Sequence, residues 1–221
     1  MTFAVFSPVI HCGFVSYDDP QYVMHNPHVL AGLSFSAIGW AFSAPHFANY
    51  HPLTWLSLML DQSRGGSPAI FHFTNLLLHA LNAALLFIIL RLATGSTWRS
   101  ALAAALFAVH PLRVESVAWI SERKDVLSAF FGFGAIFAYV LYVRRPAVGR
   151  YLVVAALMIL SLLCKPTFVT LPALLLLIDI WPLRRFDVLP GEWGRRVRFL
   201  IFEKIPLCVI SIAAAVMAII A

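Results

Sequence analysis

The chain has 221 residues, 61% of them hydrophobic and 12% charged, with a net charge of +6. Soluble domains carry about 25% charged residues, so an ordinary soluble globular domain is excluded. Continuous apolar runs such as 76–92 exclude a β-barrel, whose strands alternate. The basic residues cluster between apolar runs, which points to a polytopic all-α membrane protein and not to a nucleic-acid partner.

Seven membrane segments are predicted in chain order: Thr2–Ser16, Ile70–Leu92, Trp98–Val109, Val126–Val143, Tyr151–Cys164, Thr167–Trp181 and Ile205 to the end. A span needs about 20 apolar residues. The first and last runs therefore read as cut, giving one domain over 1–221 truncated at both ends. The third is short and is expected to continue past His110-Pro111, since membrane helices tolerate proline. No basic stretch precedes the first run, so a cleavable signal peptide is not expected. Cys12, Cys164 and Cys208 lack ligand spacing and read as small buried hydrophobes.

Sidedness follows from the arginines. Arg91 and Arg99, then Arg144, Arg145 and Arg150, then Arg184, Arg185, Arg195, Arg196, Arg198 and Lys204 fill alternate connections. Those connections are predicted to be cytoplasmic, with the N-terminus inside. Loop 17–69, loop 110–125 and the Lys165-Pro166 turn then face the other side, the outside of the inner membrane in a bacterium. Segment 182–204 mixes Trp193, Val197 and Phe199 with arginines and is predicted to be an amphipathic cytoplasmic helix on anionic lipid.

Loop 17–69 opens on Asp18-Asp19. Acids at a membrane boundary are costly unless solvated or paired, so the pair is either a solvated loop start or a functional site. The apolar clusters at 30–42 and 50–60 predict two short interfacial helices. Loop 110–125 holds six charges. If helical from Leu112, it puts Glu115, Trp119 and Glu122 on one face, with Arg123 four residues beyond Trp119. Aromatic, carboxylate and guanidinium groups together suit a sugar or phosphate; the alternative is an interfacial helix with weak internal ion pairs. Lys165, alone after an apolar run, either snorkels or serves as a phosphate or carboxylate partner. The histidines lack a zinc ligand set, and interhelical hydrogen bonding suits His72, Asn75, His79 and Asn82 better. A weakly held divalent cation at Asp18 and Asp19 is compatible with carboxylate chemistry.

Several motifs then converge. They are Tyr17-Asp18-Asp19-Pro20 with Asn26-Pro27, residues 49–55 (Asn-Tyr-His-Pro-Leu-Thr-Trp), residues 71–79, His110-Pro111-Leu112-Arg113-Val114-Glu115 and Ser121-Glu122-Arg123-Lys124-Asp125. In this order, over nearly the whole chain, they resemble the membrane part of the transmembrane and tetratricopeptide-repeat proteins. These are protein O-mannosyltransferases and their bacterial relatives, of the glycosyltransferase C superfamily. The resemblance implies a seven-helix module with its active site on the non-cytoplasmic face and an acidic pair, here Asp18-Asp19, as catalytic signature. It also implies a polyprenyl-phosphate-linked, mannose-like sugar as donor, a protein hydroxyl as acceptor and inversion at the anomeric carbon. The abbreviated first helix and the absent repeats depart from the family pattern.

Within that frame one of Asp18 and Asp19 is the expected base, and the other orients it or holds a cation. Arg113, Arg123, Lys124 and Lys165 are the expected donor-phosphate partners. Tyr50, His51, Trp55, His110, Glu115, Trp119 and Glu122 are the expected sugar or acceptor contacts. The competing readings are a non-catalytic anchor for a repeat domain and, behind it, a transporter with charges along its path.

Overall fold

The computed structural model describes residues 1–220 except 44, 48, 188 and 190, and its regular elements are all helical. Helices α1 (Thr2–Phe6), α2 (Pro27–Leu30), α3 (Phe35–Ser43) and α4 (Pro52–Ser63) precede α5 (Pro68–Thr94) and α6 (Thr97–Val109). Then come α7 (Arg113–Ala118), α8 (Arg123–Arg144), α9 (Val148–Cys164), α10 (Leu171–Ile180) and α11 (Trp193–Ile220). Among the described residues three stretches are long and apolar enough to cross a membrane: α5, α8 with the short turn before it, and α11. Shorter apolar helices lie over Thr2–His11, α6, α9 and Pro166–Ile180. The chain is thus an all-helical membrane protein.

Local chemistry sets the boundaries. Pro68 opens α5 at a position where its missing N–H costs nothing. Gly95, at φ +74°, closes it in the left-handed conformation, and its N–H donates to the Arg91 carbonyl. The polar stripe of α5 turns inward. Asn75 donates to the Val117 and Trp119 carbonyls, Asn82 donates to Val126, and His79 Nε2 pairs with the Ala108 carbonyl. These bonds fasten α5 to the α6–α8 connection, where unpaired carbonyls would be expensive.

The main core lies between α8, α9, α10 and α11, around Tyr139, Met158, Leu171, Leu175 and Leu207. Gly132 permits α8 to meet the Pro166–Thr170 turn: a Cβ there would fall 2.5 Å from the Phe168 ring.

Four expectations change. Helix α6 stops at Val109 and does not run past His110-Pro111. Helix α7 ends at Ala118 and Trp119 is extended, so Glu115, Trp119 and Glu122 do not share one helical face. Of the expected surface helix at 182–204 only the part from Trp193 is helical, and it is continuous with the last span as one helix, α11, with Pro206 inside it; Val188 and Pro190 of the former and Ala221 of the latter lie outside the described residues. Of the two expected interfacial helices, α4 is a core element. Its Trp55, Leu58 and Met59 are fully buried, and Thr54 donates across to the Cys164 carbonyl.

Candidate functional site

The two halves of the acidic pair have different environments. Asp19 is fully buried, and both oxygens are used: Oδ2 accepts from the Val15 N–H at 2.8 Å, Oδ1 from the Ser121 N–H at 2.9 Å and from Ser121 Oγ at 2.5 Å. It therefore ties the start of the first loop to the second. Asp18 is half-buried, and its carboxylate has no hydrogen-bond partner among the described residues.

Ser121 sits immediately before Glu122, so the Asp19 clasp fixes the next feature. Glu122 spans two lysines, with Oε1 2.9 Å from Lys124 Nζ and Oε2 3.2 Å from Lys165 Nζ. Lys165 also meets Asp125 Oδ1 at 2.5 Å, and Ser116 donates to Oδ2 of that Asp125. Lys124 lies over the Tyr22 ring, 5.1 Å from its centre. Burial pushes the Tyr22 hydroxyl up to about 12; the charges of Asp18 and Glu122 add to this and Lys165 opposes it. The charges of Asp18, Glu122 and Lys165, from three connections far apart in sequence, thus act on one buried phenol whose ring lies under Lys124.

His51 closes one side. Burial lowers it to about 4, with the charges of Lys124 and Lys165 helping, so the ring is neutral at physiological pH. Its Nδ1 is buried without a partner among the described residues. Behind it runs an apolar pocket of about 320 Å³ lined by Tyr50, His51, Ile159, Leu163, Pro166 and Met217, between α9 and the end of α11. Pro166 follows Lys165 directly, so the charged cluster and the apolar pocket adjoin.

Other expected site residues lie elsewhere. Arg123 is fully buried; it bonds Asn75 Oδ1, donates to Ser57 Oγ at 2.7 Å and to the Phe71 carbonyl at 2.8 Å, and pairs with Asp61 at 2.7 Å. Its donors are consumed inside the protein, so it braces the first turn of α8 instead of facing a donor phosphate. Trp55 is fully buried, stacked on Tyr22 with centres 4.6 Å apart, and has no face for a sugar. Arg113 lies over Phe107 at 4.8 Å, and His110, on the α6–α7 connection, and Glu115, in α7, are exposed. Trp119 is half-buried against the exposed Tyr17, which leaves that pair beside Asp18 as the aromatic surface nearest the acidic pair in sequence. Among the described residues no group of three His, Cys, Asp or Glu side chains forms a metal site.

Sequence reasoning missed Tyr22, Ser121, Asp61 and the role of Asp125, because each acts through a partner far along the chain. It also missed a buried cluster at the arginine-rich end. There Asp179 and Glu203 are surrounded by Tyr139, Arg185 and Lys204, with Lys204 Nζ at 2.9 Å from Asp179 and 2.6 Å from Glu203. The lone acid in Leu177-Ile178-Asp179-Ile180 was its available signal, since an acid in apolar sequence needs a partner.

Known proteins are similar to this chain in sequence. Protein O-mannosyl-transferase Tmtc2 of Drosophila melanogaster is 32% identical over 196 residues, covering 81% of this chain and 21% of that protein. Protein O-mannosyl-transferase Tmtc1 of the same fly is 31% identical over 189 residues, with 81% and 22% covered. Protein O-mannosyl-transferase TMTC2 of Homo sapiens is 30% identical over 132 residues, with 56% and 16% covered. The chain spans about a fifth of the length of the two fly proteins. No family model and no solved structure matches it.

Proposed function

The chain belongs to the transmembrane and tetratricopeptide-repeat family of protein O-mannosyl-transferases, and on that premise we propose that it carries a glycosyl-transfer site at the Asp18–Tyr22–Lys124–Lys165 cluster. The donor is a mannose-like sugar on a polyprenyl phosphate, the acceptor a protein Ser or Thr hydroxyl, and the site faces the non-cytoplasmic side.

Asp18 is the general base. The acceptor oxygen attacks the anomeric carbon as its proton passes to the Asp18 carboxylate, and the bond from that carbon to the phosphate oxygen breaks with inversion. A positioned carboxylate contributes about 10²–10⁴-fold to such a step. The departing phosphate gains negative charge, which Lys124 and Lys165 stabilise. Asp19 has a positioning role: its three hydrogen bonds hold Asp18 against the second loop. The apolar pocket behind His51 accommodates the first isoprene units of the lipid, and Tyr17 with Trp119 offers an aromatic face to the sugar.

The observation that carries this reading is the division of labour in the acidic pair: Asp19 is saturated and buried, while Asp18 has no hydrogen-bond partner among the described residues and its charge acts on the same Tyr22 hydroxyl as those of Glu122 and Lys165. Transfer of radiolabelled sugar from polyprenyl phosphate to a Ser/Thr peptide, by the full-length protein and its Asp18→Asn variant, tests it. Undiminished transfer by Asp18→Asn sinks the assignment, and recruitment of a partner without any transfer by the wild type favours an anchor.

A further inference from the structure

At the opposite, arginine-rich end a groove of about 490 Å³ runs between the α8–α9 turn and α11. Tyr142, Tyr151, Phe199 and Phe202 line it, with Pro146 and Glu203. An acid in its wall would normally repel an anion. Here Glu203 is spent: Arg185 donates to both its oxygens at 2.8 and 3.0 Å, and Lys204 pairs with it at 2.6 Å. Tyr142 donates to the same carboxylate at 3.0 Å, presenting its ring to the groove with the hydroxyl turned inward. The wall is therefore aromatic and electrically neutral.

The rim is the reverse. Arg145 precedes Pro146 of the lining, and the exposed Arg150 donates to the Arg145 carbonyl at 2.7 Å, so both sit at the turn. Across the groove Arg196 lies over the Phe199 ring at 6.0 Å, and Arg198 stands one helical turn before Phe202. None of these four arginines has a carboxylate partner among the described residues. Arg196 Nε donates to the Arg185 carbonyl and Arg198 Nε to the Gly194 carbonyl, so only backbone oxygens engage them; all four arginines flank the apolar lining along the chain, at the end of helices that cross or enter a membrane.

We propose that this groove is a binding site for one anionic phospholipid, its phosphate held by Arg145, Arg150 and Arg198 and its first acyl carbons lying against Tyr142, Tyr151, Phe199 and Phe202. A soluble phosphate would gain nothing from the aromatic floor, and a zwitterionic lipid would bring its own cation to the arginines. The site lies at the end remote from Asp18 and Lys165 and stands independently of the sugar-transfer reading.

The test uses the full chain in detergent with phosphatidylglycerol carrying a photoreactive diazirine in its acyl chain, and the phosphatidylcholine analogue as comparison. Labelled peptides are identified by mass spectrometry. Labelling should concentrate on 142–151 and 199–206 and favour phosphatidylglycerol. Arg150→Gln with Arg198→Gln should weaken it by about five-fold per arginine lost, the worth of a basic residue at an anionic surface. Ala147→Trp should also weaken it by filling the groove without altering any charge; helical circular dichroism checks that both variants fold. Equal labelling by the two lipids overturns the site. So does equal labelling of the basic turn 91–99 at the same end, or unchanged labelling in either variant.

Discussion

Ser121 gives both its backbone N–H and its hydroxyl to a single oxygen of Asp19, across 102 positions of sequence. That one contact couples the loop carrying the acidic pair to the loop carrying the lysines. It also separates two residues that look alike in sequence. Asp18→Asn should abolish most sugar transfer, by about 10²-fold or more, while leaving the melting temperature unchanged. Asp19→Asn turns a saturated acceptor into a mismatched amide beside two N–H donors, at a cost of about 1–3 kcal/mol. It should lower both activity and melting temperature. A stability loss confined to Asp18→Asn would reverse the two roles.

Arg123 and Asp61 form the second coupling, 2.7 Å apart and both buried. Removing one partner of such a pair costs about 3–5 kcal/mol because the other is left charged in the interior. Arg123→Met should therefore melt well below the wild type in detergent. The Arg123→Met, Asp61→Leu double variant should recover much of the loss, as apolar replacements of whole buried pairs do. A double variant less stable than the sum of both single changes would show that the pair does more than neutralise itself.

Much of the fold was legible because apolar length is a property of consecutive residues. The segments around α5, α6, α8, α9 and α10 follow the hydropathy to within a few residues. What was not legible depends on pairing. Nothing adjacent to Arg123 says that Asn75, Ser57 and Asp61 will absorb its donors, so it reads as an exposed cation in a charged loop. Trp55 reads as an interfacial aromatic because its stacking partner Tyr22 is 33 positions away. Where α7 ends at Trp119, the Val117 and Trp119 carbonyls accept from Asn75 of α5, a tertiary partner that no local periodicity carries. The acidic pair was legible as two carboxylates opening a loop, but not that Asp19 is buried and saturated while Asp18 has no hydrogen-bond partner among the described residues.

His51 makes the protein pH-sensitive. Its folded pKa lies at about 4, against 6.5 for the ordinary side chain, so it is buried neutral. Between those values the unfolded chain binds a proton that the folded chain does not. Stability should thus be full above pH 6.5 and fall as pH drops toward 4, by on the order of 3 kcal/mol. His51→Gln should flatten that part of the curve. Thermal melts from pH 4 to 7 measure it, and parallel curves for the two proteins would remove His51 as the cause.

Lys165 and Lys124 share Glu122, and this sets the last prediction. The carboxylate bridges the two amines at 3.2 and 2.9 Å. A donor phosphate must compete with it for both. Glu122→Gln removes that competition, so the KM for polyprenyl-phosphate sugar should fall several-fold, a change worth about 1 kcal/mol. Lys165→Met acts in the opposite sense. It leaves Asp125 without its 2.5 Å partner and withdraws a charge from the departing phosphate. Its effect should fall on kcat, about 10²-fold, as for loss of one electrostatic stabiliser of a transition state, and Lys165→Arg should restore part of it. Steady-state kinetics on the full-length protein separate the two. If Glu122→Gln raises KM while Lys165→Met leaves kcat intact, the lysines do not meet the phosphate.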